Sequence, residues 1–422
     1  MMAMDNRSNQ AAGPRSGEVK RAGEIGFEDL LAPVTLEDFF REYWEQKPLV
    51  TRGRAQGFFA PLFSIRDVDR VICYQKPGPG RLDLVTEGGF VRDNFLNLDN
   101  TANINLVYEN YLKGSTVILS GLEETWEPLV VFCRKLEGQL SHPVAVAVYL
   151  TPPNHHGVQP HFDTQENFIL QVDGVKHWKV YGAGQELPRV EGSYTPVARE
   201  RLPELLLETE LHPGDMLYVP RGFVHEAEAR DSASLHITVD VHVRTWRDFL
   251  EDALAAMADR NPRFRKSLPP GLLNGSHAKA QLEEGFRELM EMVHREVRLS
   301  DALGKHAEKL IVARPPLPDG HFALLHAEIG LDTPLRKRTA MLTRRFQEEA
   351  VAGIQFSGNQ ILGPVKIAEA LRHIDETEIV VPSQLPGGLS NNEKLVLVRR
   401  LVRVGLLTHA SEGNSAGAAK RG

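Results

Sequence analysis

From Ser115 to Val243 the chain breaks into short apolar runs divided by tight-turn pairs, and no other feature narrows the fold as far. Ser115-Thr-Val-Ile-Leu and Pro143-Val-Ala-Val-Ala-Val-Tyr-Leu-Thr are two such runs. Phe168 to Tyr181 predicts two strands around Asp173-Gly174, a dipeptide that favours a tight hairpin turn. Glu208-Thr-Glu-Leu, Met216-Leu-Tyr-Val and Leu235-His-Ile-Thr-Val-Asp-Val follow. Many short strands with turn signals between them predict a β-sandwich or barrel.

Helical patterns flank this region. Thr35 offers an N-cap ahead of Leu36, Phe39, Phe40 and Tyr43, and Lys47-Pro48-Leu49-Val50 then ends that helix and begins a strand. Beyond Trp246, Phe249, Leu250, Ala253, Leu254 and Met257 share one helical face, as do Phe286, Leu289, Met290 and Val293. Pro315-Pro-Leu-Pro-Asp-Gly reads as a linker. The remainder mixes strands with helices, one within Gly363 to Leu371 and one over Leu395 to Leu401 behind a Ser390-Asn-Asn-Glu393 capping box. Residues 1–24 and 411–422 are small and polar without periodicity, and are expected to be a disordered leader and tail.

A length of 422 residues predicts two to three domains. With 49 Lys+Arg against 56 Asp+Glu the net charge is 49 − 56 = −7, which argues against a general nucleic-acid coat. Two cysteines, Cys73 and Cys133, exclude a disulfide scaffold or a Cys-rich zinc module. No apolar run reaches the ~18 residues of a membrane span, and Met1 to Arg21 has no hydrophobic signal core, so a cytoplasmic protein is expected.

The chemistry concentrates in two places. Pro160-His161-Phe162-Asp163 puts a histidine and an aspartate on one face of a strand, where both can reach one metal ion. Two surface polar residues would give the same pattern. Gly214-Asp215, then Pro220-x-Gly222 and His225, form a more specific spacing of turn, strand, turn and histidine. Its bland alternative is a strand pair whose histidine faces solvent. Two imidazoles and one carboxylate leave three octahedral positions open and suit non-haem Fe(II), whereas structural zinc wants a closed fourth ligand. An anionic keto-acid co-substrate would need a cation at its far end. Lys176, just beyond the Asp173-Gly174 turn, is the candidate, with an ordinary sheet-surface lysine as the equal alternative. Tyr149 could add a hydroxyl or simply pack in the core. His155 and His156 belong to the approach loop, and His177, His236 and His242 read as packing or surface positions.

The chain resembles the JmjC-type ribosomal oxygenases, a branch of the cupin-fold 2-oxoglutarate/Fe(II) oxygenases. The resemblance rests on Phe39-Phe-Arg-Glu-Tyr-Trp-Glu-Gln-Lys-Pro-Leu, Tyr149-Leu-Thr-Pro, His161-Phe-Asp, Asn167 to Trp178, Gly214 to His225, and Ser234 through Leu250. It implies an α+β chain: a double-stranded β-helix (jelly-roll) catalytic domain over 25–245, a helical dimerisation region over 246–314 and a winged-helix-like domain over 315–410. It implies His161, Asp163 and His225 as iron ligands, Lys176 against the distal carboxylate of 2-oxoglutarate, and Tyr149 nearby. The implied reaction couples oxidative decarboxylation of 2-oxoglutarate by O₂ to hydroxylation of a side chain in a protein or peptide, with ribosomal proteins among the substrates and a homodimer as the assembly. The chain departs from the family pattern at Ala147, where Asn is frequent, and at Asp240, near which a small hydroxyl residue is common. Hydroxylation of a small molecule or natural-product peptide, and a non-catalytic metal-binding cupin, are the competing readings. Arg399, Arg400 and Arg403 on the last helix are expected to be a solvated or protein-contacting face rather than a nucleic-acid site.

Overall fold

The computed structural model describes residues 20–86, 89–91, 95–189, 194–273 and 276–410. The tail and most of the leader lie outside the described residues. Ala22–Glu24 already form a 3₁₀ turn, so order begins ahead of Phe27. The chain divides into two compact units, one up to Val243 and one from Arg244.

The first unit opens with α1 (Phe27–Leu31), α2 (Leu36–Glu42), β1 (Leu49–Thr51) and α3 (Ile65–Arg70). The Thr35 hydroxyl accepts the Asp38 amide and starts α2 where the sequence predicts it. Then come β2 (Leu82–Thr86), β3 (Gly89–Val91), α4 (Ile104–Leu112), β4 (Thr116–Ser120), α5 (Glu127–Leu140) and β5 (Val144–Thr151). Strands follow, with one 3₁₀ turn at Arg199–Arg201: β6 (His161–Phe162), β7 (Glu166–Asp173), β8 (Lys176–Ala183), β9 (Thr195–Pro196), β10 (Leu205–Leu211), β11 (Met216–Val219), β12 (Phe223–Ala229) and β13 (Ser234–Val241).

Two antiparallel sheets result. One has the order β1-β11-β7-β13-β5-β4-β2-β3 and the other β10-β8-β12-β6-β9. The Asp173-Gly174 turn therefore does not close a hairpin. β7 belongs to the larger sheet and β8 to the smaller, so the chain crosses between sheets there, and does so again at Gly214-Asp215 and at Pro220-x-Gly222. The reason is burial. β7 is covered on both faces over Glu166–Val172, which a hairpin with one wet face cannot achieve. Gly174 (φ +65°) lets the crossing fit, since a Cβ there would lie 1.9 Å from the Ala233 carbonyl oxygen.

Strand alternation sorts the two faces of the larger sheet. Val144, Val146 and Val148 of β5, Ile237 and Val239 of β13, and Phe168 and Leu170 of β7 pack outward against Phe132 and Leu136 of α5 and Phe27 and Phe39 of α1 and α2. The opposite residues, among them Ala147, Tyr149, Asn167, Ile169, His236 and Thr238, face the smaller sheet. Ile169, Leu217 and Val219 from one sheet meet Trp178, Val180 and Leu211 from the other and close that interior.

The second unit begins with α6 (Trp246–Arg260), α7 (Ser276–Glu296) and α8 (Leu299–Ala307). In α6, Ala253 and Met257 are buried while Leu250 and Leu254 are exposed; in α7, Phe286 and Met290 are exposed. Asp252, fully buried, pairs with Arg244 at 2.7 Å and with Lys309. After the proline-rich stretch and α9 (His321–Leu324), β14 (Leu335–Lys337) precedes a three-stranded meander of β15 (Thr343–Gln347), β16 (Val351–Phe356) and β17 (Asn359–Pro364). Two helices follow, α10 (Ala368–Glu376) and α11 (Asn391–Arg403), and β18 (Leu407–His409) returns to pair with β14. The Ser390/Glu393 capping box forms as the sequence predicts. Among the described residues no helix is long and apolar enough to cross a membrane.

Candidate metal centre

His161 and Asp163 leave β6 on the same side, and His225 stands directly across from His161 in the register of β12 against β6. Asp163 Oδ2 lies 3.7 Å from His161 Nε2 and 3.5 Å from His225 Nε2, and the two imidazole centroids are 4.3 Å apart. Among the described residues this is the one group of His, Cys, Asp and Glu side chains whose donor atoms converge closely enough to share an ion. The bland readings of both motifs, scattered surface polar groups, do not describe this arrangement.

The neighbours orient the donors. Nδ1 of His161 bonds the Gln159 carbonyl at 2.7 Å, and Nδ1 of His225 bonds the Phe223 carbonyl at 3.1 Å. Each ring thus carries its proton on Nδ1 and presents a bare Nε2 to the shared point. Asn167 donates from Nδ2 to Asp163 Oδ2 at 2.6 Å and turns the carboxylate. Burial, and then the adjacent His161, pull the His225 imidazole down to about 4, so it is neutral and able to ligate throughout the physiological range. Tyr194 packs its ring 4.7 Å from His161.

Lys176 occupies the same cavity. It is 2% exposed, although it is a lysine. Its Nζ donates to Thr151 Oγ1 at 3.0 Å and reaches His236 Nδ1 at 3.5 Å. Among the described residues no carboxylate lies within ion-pair distance. Burial alone therefore brings it down to about 7. A sheet-surface lysine would show none of this. The Tyr149 ring stacks on His236 at 4.8 Å, nearly parallel, and burial raises its hydroxyl well above the usual value. His236, expected to be a packing or surface residue, is a wall of the cavity between Lys176 and Tyr149, and burial followed by Lys176 lowers its imidazole. His155 is exposed, and His177 lies against Glu208 and Glu228 outside the cavity.

The residues present fit a divalent metal and a dianionic keto acid. Three donors converge with open positions around them. A buried ammonium stands without an acid partner. The buried Trp178 Nε1 and Asn167 Oδ1, both on cavity-lining residues, have no hydrogen-bond partner. Ala147 leaves an apolar spot beside Val85, Ile118 and Val158. Asp240 stands in register with Asn167, and burial, reinforced by Asp163 and Glu123, holds its carboxyl well above the usual range. A carboxyl shifted in this direction gives up its proton less readily, which weakens the repulsion an anion would meet there.

Residues 125–249 match the family model of the JmjC domain. That segment is similar to a JmjC domain. It is 36% identical over 259 residues to ribosomal oxygenase 1 of Rattus norvegicus, covering 59% of this chain and 43% of the rat protein. It is 27% identical over 303 residues to the bifunctional lysine-specific demethylase and histidyl-hydroxylase NO66 of Drosophila persimilis, covering 69% and 44%. The chain thus spans less than half the length of these relatives. In fold, the chain is similar to Escherichia coli ycfD, with a TM-score of 0.56 at 18% identity over 89% of this chain and 98% of that one. YcfD solved with cobalt and 2-oxoglutarate gives a TM-score of 0.55 over 90% and 99%, again at 18% identity. The JmjC cupin-type core expected from the sequence is the fold observed.

Asn167, Thr151, Trp178 and His236 are the site residues that sequence reasoning did not single out. Period-two alternation from Lys176 places Trp178 on the same face of β8, but only the sheet register brings Asn167 of β7 and His236 of β13 to the site.

Proposed function

We propose that the protein is a 2-oxoglutarate- and Fe(II)-dependent oxygenase that hydroxylates an amino-acid side chain in a protein or peptide. One observation carries this reading: the three-donor cluster and a buried lysine with no acid partner share a single cavity. The relatives named as ribosomal oxygenases make a ribosomal protein the first substrate to test. A purely structural metal site would leave Lys176 unexplained.

In this reading His161, Asp163 and His225 hold the iron. Iron so bound, with 2-oxoglutarate and O₂, supplies the oxidising power to hydroxylate an unactivated carbon. The chain's own residues do the rest. Lys176, held by Thr151, pairs with the distal carboxylate, and Tyr149 presents its neutral hydroxyl to the same end. Ile169, Trp178 and Val158 keep water from the reacting region. Asn167 fixes the Asp163 carboxylate so that one oxygen faces the metal.

The second unit is read as a dimerisation and support module. The exposed Leu250, Leu254, Phe286 and Met290 would be covered by a second copy, while Met257 is already buried. The helices α10 and α11 with the strands around them are read as winged-helix-like. Arg399 donates to the Ile329 carbonyl at 2.7 Å, in keeping with a structural face. The expected location is the cytoplasm.

Anaerobic reconstitution should give about one Fe(II) per chain, and the loaded protein should convert 2-oxoglutarate to succinate. Intact-mass comparison of ribosomal proteins from wild-type and deletion cells should show a +16 Da species lost on deletion. Full iron retention by His225→Ala would overturn the ligand assignment.

A further inference from the structure

The two arms of the metal centre come from different parts of the chain, and backbone pairing alone ties them weakly. β6 is two residues long and meets β12 at the single pair His161–His225. A second tie lies behind the site. The Gly222 amide donates to the Asp163 carbonyl at 2.8 Å, so the Pro220–Gly222 turn touches one ligand residue while it launches the strand of another. The His225 ring is in turn keyed to the carbonyl of Phe223, the next residue after that turn.

Arg221, at the tip of the turn, is 7% exposed. Its backbone amide donates to Glu166 Oε2 at 3.3 Å, and its Nε lies 3.4 Å from Glu166 Oε1. Glu166 follows Asp163 by three residues and is fully buried. Tyr218 donates to Glu166 Oε2 at 2.5 Å and accepts the Glu45 amide at 2.9 Å. The guanidinium also donates to Glu45 Oε1 at 2.6 Å and to the Pro188 carbonyl at 3.2 Å. Glu45 takes a left-handed conformation, φ +59°, to make these contacts. Setting a buried cation against the buried Glu166 and the half-buried Glu45 is a poor way to gain stability, because desolvation offsets the attraction. It is an effective way to fix a geometry, because each partner has one place to go.

We propose that Arg221 and Glu166 are positioning residues of the metal centre: their buried pair holds the Asp163 arm and the His225 arm at ligating separation. The inference rests on the ligand assignment above. It predicts that weakening the pair changes metal affinity and coordination geometry, beyond any change in fold stability.

The test titrates Co(II) alone into the full-length wild-type protein and into Arg221→Met, Arg221→Lys, Glu166→Gln and the Met/Gln double variant. Ligand-field absorption is read as the geometry, and urea unfolding of the metal-free proteins as the stability. Arg221→Met and Glu166→Gln should each raise the Co(II) dissociation constant by about tenfold or more and alter the visible spectrum. The double variant should be little worse than either single one, and Arg221→Lys should recover part of the loss. Co(II) affinity within about twofold of wild type, with an unchanged spectrum, overturns the proposal even if urea stability falls. If Arg221→Met does not fold, the near-isosteric Glu166→Gln decides by the same criterion. Failure of the wild-type protein itself to bind Co(II) overturns the ligand assignment and this inference with it; wild-type binding with unaffected variants overturns this inference alone.

Discussion

Replacing Lys176 by methionine removes one buried charge and keeps most of the side chain's length. The Lys176 ammonium has the Thr151 hydroxyl, the His236 ring and the face of Trp178 as neighbours, and burial, which disfavours the charged form, brings it down to about 7. At about pH 7.5 such a lysine is roughly a quarter protonated, so charging it to meet a carboxylate costs about 0.8 kcal/mol. Truncating one partner of a buried, hydrogen-bonded charge pair costs about 2–5 kcal/mol. The difference, about 1–4 kcal/mol, corresponds to a roughly five- to thousandfold rise in the 2-oxoglutarate dissociation constant. Calorimetric titration of anaerobic, metal-loaded protein measures it. The sign with pH also follows. Binding must add a proton to Lys176 above about pH 7, so affinity should weaken as pH rises, by up to about tenfold per unit, and level off below. Lys176→Met should lose this slope. It should not lower the stability of the metal-free protein, since it removes an unpaired buried ammonium. An unchanged dissociation constant in Lys176→Met, with an unchanged pH slope, would refute the role of this lysine.

Further outcomes are expected elsewhere. Gly222→Ala places a Cβ 2.0 Å from the Gln185 carbonyl oxygen at φ +85°, and should cost about 1–3 kcal/mol or more in urea denaturation together with weaker Co(II) binding. Asn167→Ala frees the Asp163 carboxylate to rotate, and should raise the metal dissociation constant about tenfold with little change in melting temperature. Leu250→Glu with Phe286→Glu puts charge on the exposed faces of α6 and α7, and sedimentation at micromolar concentration should shift from dimer to the 47.1 kDa monomer; a wild-type protein that is monomeric throughout would end the dimer reading.

What the sequence determines by itself is local. Residues two apart on extended backbone share a face, so the spacing of His161 and Asp163 favours a common direction, although β6 ends at Phe162 and Asp163 follows it. Thr35 and Ser390 start their helices because a side-chain oxygen meets an amide three residues on. The short apolar runs and turn signals between Ser115 and Val243 point to a β-sandwich or barrel, although the stretch also holds the helix α5. The JmjC-like motifs carry the same information in compressed form.

Everything that depends on which strands become neighbours was decided by the tertiary structure. Asp173-Gly174 reads as a hairpin because a turn's chemistry is the same whether the chain folds back in its own sheet or steps into the next. The choice belongs to the distant β11 and β13, which pair with β7 and leave no edge for β8. Lys176 reads equally as surface or site, because a lysine's character is set by its solvent. Only the closing of the smaller sheet over the larger strips water from its ammonium and places Thr151 and His236 beside it. Asp240 shows the same dependence: its carboxyl is held above the usual range only because the register sets it opposite Asn167, buried and near Asp163.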